Sequence, residues 1–248
     1  MGGGKMLRVK RLYDGAFARY ETRINALEQK VNLLSAVYSN IDPVSLKNER
    51  KTVLCLGNSI TKHSPKASIE WYSDWGMAAS CAEKDYVHQL ETMLKEGNPL
   101  STVTGLNIAS WERDFSCNLD SLIGPHIEGI STVVIRLGEN VEDVDSFERE
   151  LDKLVSYVEK ATSDIVITGC FWEDQLKDKI LFDVAYSRGI PFVPLSWIDQ
   201  LYDVRPSIGD TLYDTNENPY KITKDFIVTH PNDKGMEMIA RAIYNYVY

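Results

Sequence analysis

Val53-Leu54-Cys55-Leu56-Gly57-Asn58-Ser59-Ile60-Thr61 is an apolar run that breaks at Gly-Asn-Ser. A short apolar run bounded by turn residues reads as a buried strand. Gly, Asn and Ser are also the usual residues of turns and helix N-caps. Ser59 is therefore either a turn serine that opens the next segment or a nucleophile held at a strand end, and the rest of the chain has to decide.

Downstream, short apolar runs alternate with helical patterns. Strands are expected at Val53–Leu56, Thr102–Ile108, Thr132–Leu137, Ile165–Thr168 and Ile190–Leu195. Helices are expected at Lys84–Lys95, Asp145–Lys160, Gln175–Ser187 and Lys234–Tyr246. Within the second of these, Phe147, Leu151, Leu154, Val155 and Val158 share one face. Strand–helix alternation implies a parallel sheet covered on both faces. Sites in such sheets form beyond the carboxyl ends of the strands.

The first fifty residues follow a different rule. Tyr13, Phe17, Tyr20, Ile24, Leu27, Val31, Leu34 and Tyr38 are spaced alternately by four and three, a heptad seam. With Phe17, Ile24, Val31 and Tyr38 at a, the d positions are Tyr13, Tyr20, Leu27 and Leu34, a pattern that favours a parallel two-stranded coil. The expected division is a helical extension over residues 1–50 and a second domain over 51–248. Self-association through the helix is one expectation, and a single amphipathic helix lying on its own domain is the other.

Composition narrows the function. The chain has 27 Lys and Arg against 36 Asp and Glu, a net charge of −9. That balance disfavours a surface built to neutralise phosphates, so nucleic acid is not an expected partner. Cys55, Cys81, Cys117 and Cys170 form no C-x-x-C pair, and His63, His88 and His126 lack metal-ligand spacing, so neither a zinc site nor a metal hydrolase is expected. The absence of a long apolar run or an h-region points to a protein with no membrane span, expected in the cytoplasm.

Several chemistry-bearing segments fall at strand ends. Gly57-Asn58-Ser59 follows the first strand, and Asn107-Ile108-Ala109-Ser110-Trp111-Glu112-Arg113 ends the second. Gly138-Glu139-Asn140 follows the third, and Thr229-His230-Pro231-Asn232-Asp233-Lys234-Gly235 precedes the last helix. A serine, an amide side chain and a histidine on one sheet edge are the set that acyl transfer needs.

In block, order and surroundings, Ser59, Asn140 and His230 resemble the SGNH (GDSL-type) hydrolases, a family of esterases and lipases. The resemblance covers residues 51–248. It implies a three-layer α/β/α sandwich around a five-stranded parallel sheet, of flavodoxin-like SGNH type, and a serine esterase that needs no cofactor. Ser59 would attack the acyl carbonyl and His230 would act as base and then acid. The Ser59 N–H and Asn140 would hold the oxyanion.

The chain departs from the family pattern at four places. Asn58 stands where the first block has Asp, and Val141 where an Asp follows the third-block Asn. The second block has no evident glycine; ungapped alignment puts Glu112 near that oxyanion position, and a shorter loop would put Ala109 or Ser110 there. Ile227 replaces the Asp three residues before His230. A histidine base needs something on its other nitrogen to set tautomer and orientation. Asp225, Glu173, Asp174, Glu112 or a backbone carbonyl are the alternatives, with Asp225 nearest in sequence.

Trp71, Trp75, Trp111, Trp172 and Trp197 all fall in segments that follow strands. With Asp74, Glu112, Arg113, Glu173 and Asp174 among them, they are expected to line a rim suited to hydroxyl-rich ligands. The leading expectation is hydrolysis of a small acyl ester, O-acetyl first, on a carbohydrate. The alternatives are a carbohydrate O-acyltransferase using the same site and a catalytically weak SGNH-like binding protein.

Overall fold

The computed structural model describes residues 50–248; the heptad segment lies outside them. Five parallel strands form one sheet: β1 (Thr52–Gly57), β2 (Thr102–Asn107), β3 (Thr132–Ile135), β4 (Ile165–Thr168) and β5 (Phe192–Val193). Their order is β2-β1-β3-β4-β5. The chain steps outward from β1 to β2 and then returns to the other side of β1 at β3. The direction of winding thus reverses between β1 and β3, and the loops that leave these two strands diverge around a crevice. A small antiparallel hairpin, β6 (Thr211–Tyr213) with β7 (Pro219–Lys221), was not expected from the sequence.

The period-two alternation of the strands builds a core on each face. Val53 and Cys55 of β1 join Val103, Val134, Val166 and Val193 on one side. Leu54 and Leu56 join Val133, Ile135, Ile165 and Ile167 on the other. Helices α1 (Tyr86–Gly97) and α4 (Asp233–Val247) cover the first face through Tyr86, Leu90 and Leu94 and through Met236, Ile239, Ile243 and Val247. Helices α2 (Val144–Val158) and α3 (Gln175–Arg188) cover the second through Phe147, Leu151, Leu154 and Val158 and through Leu181 and Val184. The result is the expected three-layer α/β/α sandwich.

Each long helix starts on a side-chain cap. Asp85, Asp143, Asp174 and Asn232 accept from the backbone N–H groups of His88, Ser146, Lys177 and Gly235. These caps satisfy orphan donors and fix where the helices begin. Cys55 and Cys170 are buried, and all four cysteines are free thiols. Among the described residues, no helix is long and apolar enough to cross a membrane.

Candidate active site

The turn after β1 is held from below. Gly57 approaches Thr61 so closely that a Cβ would lie 1.9 Å from its Oγ1 and 3.1 Å from the Arg136 carbonyl. Asn58 is buried, and its Oδ1 accepts from the Ile60 N–H at 3.2 Å, closing the turn that lifts Ser59 to the sheet edge. Ser59 itself is half-buried. Thr61 and Lys62 both donate through their backbone N–H to the Asn58 carbonyl at 3.0 Å.

His230 comes from the loop before α4, 171 residues along the chain, and places Nε2 2.9 Å from Ser59 Oγ. Its Nδ1 lies 2.9 Å from the Phe226 carbonyl. A carbonyl only accepts, so Nδ1 carries the hydrogen and, in the neutral ring, Nε2 is left as an acceptor for the Ser59 hydroxyl. Trp172 packs edge-on against the imidazole at 5.2 Å, and its indole N–H donates to the Thr229 carbonyl. Burial pulls the His230 pKa down to about 4; the Phe226 bond opposes this, while Arg136, His63 and Arg205 add to it.

The partner of His230 is thus a backbone carbonyl, not a carboxylate. Asp225, the nearest acid in sequence, is exposed and makes no hydrogen bond to the ring. Ile227, where the family carries Asp, is buried in the apolar core. Glu173 is exposed and lies against Gln175 and Gln200. Asp174 caps α3, and Glu112 serves a different network.

That network joins the segments that follow β1, β2 and β3. Arg136, fully buried just past β3, donates to Glu139 Oε1 and to Asn58 Oδ1, each at 2.6 Å. Asn58 Nδ2 donates to Glu139 Oε2 at 2.7 Å and to Glu112 Oε1 at 3.3 Å. Glu112 Oε1 also receives the Gly138 N–H at 2.7 Å, and its Oε2 receives Asn140 Nδ2 at 2.7 Å. Arg113 donates to Asn140 Oδ1 at 2.9 Å. Burial and the nearby Glu139 raise the Glu112 pKa, against the hydrogen bonds from Gly138 and Asn140.

These contacts explain one departure from the family pattern. Residue 58 must donate to two carboxylates while accepting from an arginine, which an amide does and a carboxylate does not. The Glu112 carboxylate is only an acceptor here, so residue 112 can serve an oxyanion solely through its backbone N–H. Sequence reasoning missed Arg136 and Glu139; the available signal was an arginine at the end of an apolar strand with a glutamate three residues on.

The tryptophan rim is corrected. Trp71, Trp75 and Trp111 are 0%, 6% and 2% exposed and pack in the core, with Trp111 against Phe115 and Phe147. Large rings fill the space between helices and sheet edge more readily than they stand in water. Trp172 alone of the expected set lies against the site residues, and Trp197 is exposed. Among the described residues, no cluster of His, Cys, Asp and Glu is placed to hold a metal ion.

Solved structures share this architecture. A lipase/acylhydrolase from Enterococcus faecalis matches with a TM-score of 0.53 at 13% identity, over 79% of this chain and 94% of that one. An acetylxylan esterase from Geobacillus stearothermophilus matches with a TM-score of 0.53 at 16% identity, over 79% and 94%. An alpha/beta hydrolase enzyme from the metagenome of Lake Arreo, Spain, matches with a TM-score of 0.54 at 16% identity, over 79% and 94%. Further matches include the acetylxylan esterase in forms described as catalytic mutants, with a serine, a histidine or an aspartate replaced by alanine. No family model and no curated protein matches the sequence. The likeness establishes the fold, one shared with a lipase/acylhydrolase and an acetylxylan esterase.

Proposed function

We propose that the protein is a serine esterase working through a Ser59–His230 dyad. The observation that carries this reading is the 2.9 Å contact between Ser59 Oγ and His230 Nε2, with Nδ1 committed to the Phe226 carbonyl. As Oγ bonds to the acyl carbon, its proton passes to Nε2 and the carbonyl oxygen gains charge. The Ser59 N–H and Asn140 Nδ2 stabilise that oxyanion. His230 then returns the proton to the departing alkoxide, leaving an acyl-serine. Water repeats the sequence and releases the acid; no cofactor enters.

A carbonyl sets the tautomer as well as an aspartate does but brings no full negative charge. The imidazolium formed during the reaction is thus less stabilised than in a triad, in keeping with the lowered pKa of the buried ring.

For substrate, the reading is a small acyl ester, O-acetyl first, on a carbohydrate. The acetylxylan esterase among the structural relatives points the same way.

The test is acetate release from an acetylated chromogenic ester and from acetylated xylo-oligosaccharides, by wild type and Ser59→Ala. Release by wild type that is lost in Ser59→Ala is expected. No release by wild type overturns the reading, and an acetylated sugar formed in place of acetate would move it to acyl transfer.

A further inference from the structure

We infer that Glu112 and Arg113 are a positioning pair that sets the orientation of the Asn140 amide. This deepens the esterase reading and rests on it for its catalytic consequence. The two residues are adjacent on the short helix Ala109–Arg113 and reach Asn140 from opposite ends of its amide. Arg113, a donor only, bonds Oδ1 at 2.9 Å, and Glu112 receives Nδ2 at 2.7 Å. A flipped amide would set Nδ2 against the guanidinium and Oδ1 against the carboxylate, so both bonds would become repulsive contacts. The pair therefore selects one of two nearly isosteric states.

That choice has a chemical result. In the selected state, one hydrogen of Nδ2 is committed to Glu112 and the other is left for a ligand. Arg113 draws charge through the amide from Oδ1, which strengthens Nδ2 as a donor, and Glu112 fixes its direction. The same Glu112 receives the Gly138 and Asn140 backbone N–H groups at 2.7 and 3.3 Å, tying the loop after β3 to the donor it carries. In the family pattern an Asp follows this Asn; here that place is the buried Val141. Glu112 supplies a carboxylate to the third-block loop from the second.

Glu112→Gln keeps the shape but gives up one acceptor oxygen, so its new NH2 must face either Asn140 Nδ2 or the Gly138 N–H. The test reads the Asn140 side-chain amide in a ¹⁵N-edited spectrum, assigned with Asn140→Asp. Wild type should show two well-separated proton resonances that collapse or move in Glu112→Gln and shift in Arg113→Met. In ester hydrolysis, Glu112→Gln should lower kcat about tenfold or more with KM nearly unchanged, within the roughly 10²–10³-fold loss typical of one oxyanion donor. Glu112→Gln combined with Asn140→Ala should be no slower than Asn140→Ala alone, because both act through one donor. Arg113→Lys, which keeps one donor, should recover part of the Arg113→Met loss.

Unmoved Asn140 resonances in folded Glu112→Gln and Arg113→Met overturn the inference, as does a double variant whose loss is the product of the singles. A wild type that hydrolyses no ester overturns the esterase reading instead, and the spectrum still decides the clamp.

Discussion

Replacing Asn58 by Asp would restore the residue of the family's first block, and the structure predicts that this nearly isosteric change is severely destabilising. Asn58 is 1% exposed, with Nδ2 bonded to Glu139 at 2.7 Å and Glu112 at 3.3 Å. Aspartate removes both donated bonds and sets a third carboxylate against two others. At an effective dielectric of about 20, like unit charges roughly 3 Å apart repel by about 5 kcal/mol. The new charge gains about as much from Arg136, already bonded at this oxygen at 2.6 Å, so roughly one of the two repulsions is left uncompensated. The expected loss is about 3–5 kcal/mol, the usual range for a buried charge without its own partner.

The pH dependence has a definite sign. A penalty of that size corresponds to a carboxyl pKa raised by roughly two to four units in the folded state. It is therefore largest at high pH and shrinks by about 1.4 kcal/mol per pH unit as the cluster takes up a proton. Urea unfolding of both proteins, followed by tryptophan fluorescence at about pH 8 and about pH 5.5, measures the difference directly. A gap below about 1 kcal/mol at the higher pH, or the same large gap at both, would refute this account of the network.

Four other outcomes are expected. The base must be neutral, and burial has taken His230 to about 4, so kcat/KM should stay flat through about pH 6 and fall only toward about pH 4; a fall centred near the ordinary histidine value would contradict a buried base. The same depressed pKa gives stability that is whole above about pH 6.5, the unfolded value, and is lost as pH falls through about 4, a slope that urea unfolding of His230→Gln should show flattened. Asp225→Asn should leave kcat within about threefold of wild type, while Ser59→Ala removes about 10³-fold or more, because the carbonyl of Phe226 and not Asp225 holds the ring; equal losses would establish a triad through Asp225. Gly57→Ala drives a Cβ to 1.9 Å from Thr61 Oγ1 and should lower stability by about 1–3 kcal/mol, with partial recovery when Thr61 is also changed to Ala.

The sequence by itself determined the architecture, because the signals were local. Short continuous apolar runs, helical stripes such as Phe147, Leu151 and Leu154, and turn residues at their ends specify strands and helices wherever the chain goes. Helix starts were legible only to a residue or two: the cap Asp85 falls inside the expected Lys84–Lys95 stretch, and the cap Asp143 falls two residues before the expected Asp145–Lys160. Ser59, Asn140 and His230 were legible as candidates because each follows or precedes a regular element in a fixed order. The heptad segment before Arg50 has a sequence reading and lies outside the described residues.

What only the tertiary structure decided is how distant polar groups share hydrogens. The partner of His230 was open among four carboxylates and a carbonyl, and backbone geometry at Phe226 settles the contact in a way no side-chain pattern encodes. The need for amide rather than acid at residue 58 depends on Glu112 and Glu139, which lie 54 and 81 residues away. Three of the five tryptophans turned into the core for the same reason, since a position after a strand says where a ring begins but not which surface it meets. Burial makes each unpaired donor or charge expensive, so the final arrangement is set by the whole enclosed network at once. A one-dimensional pattern records its members and leaves their pairing to the fold.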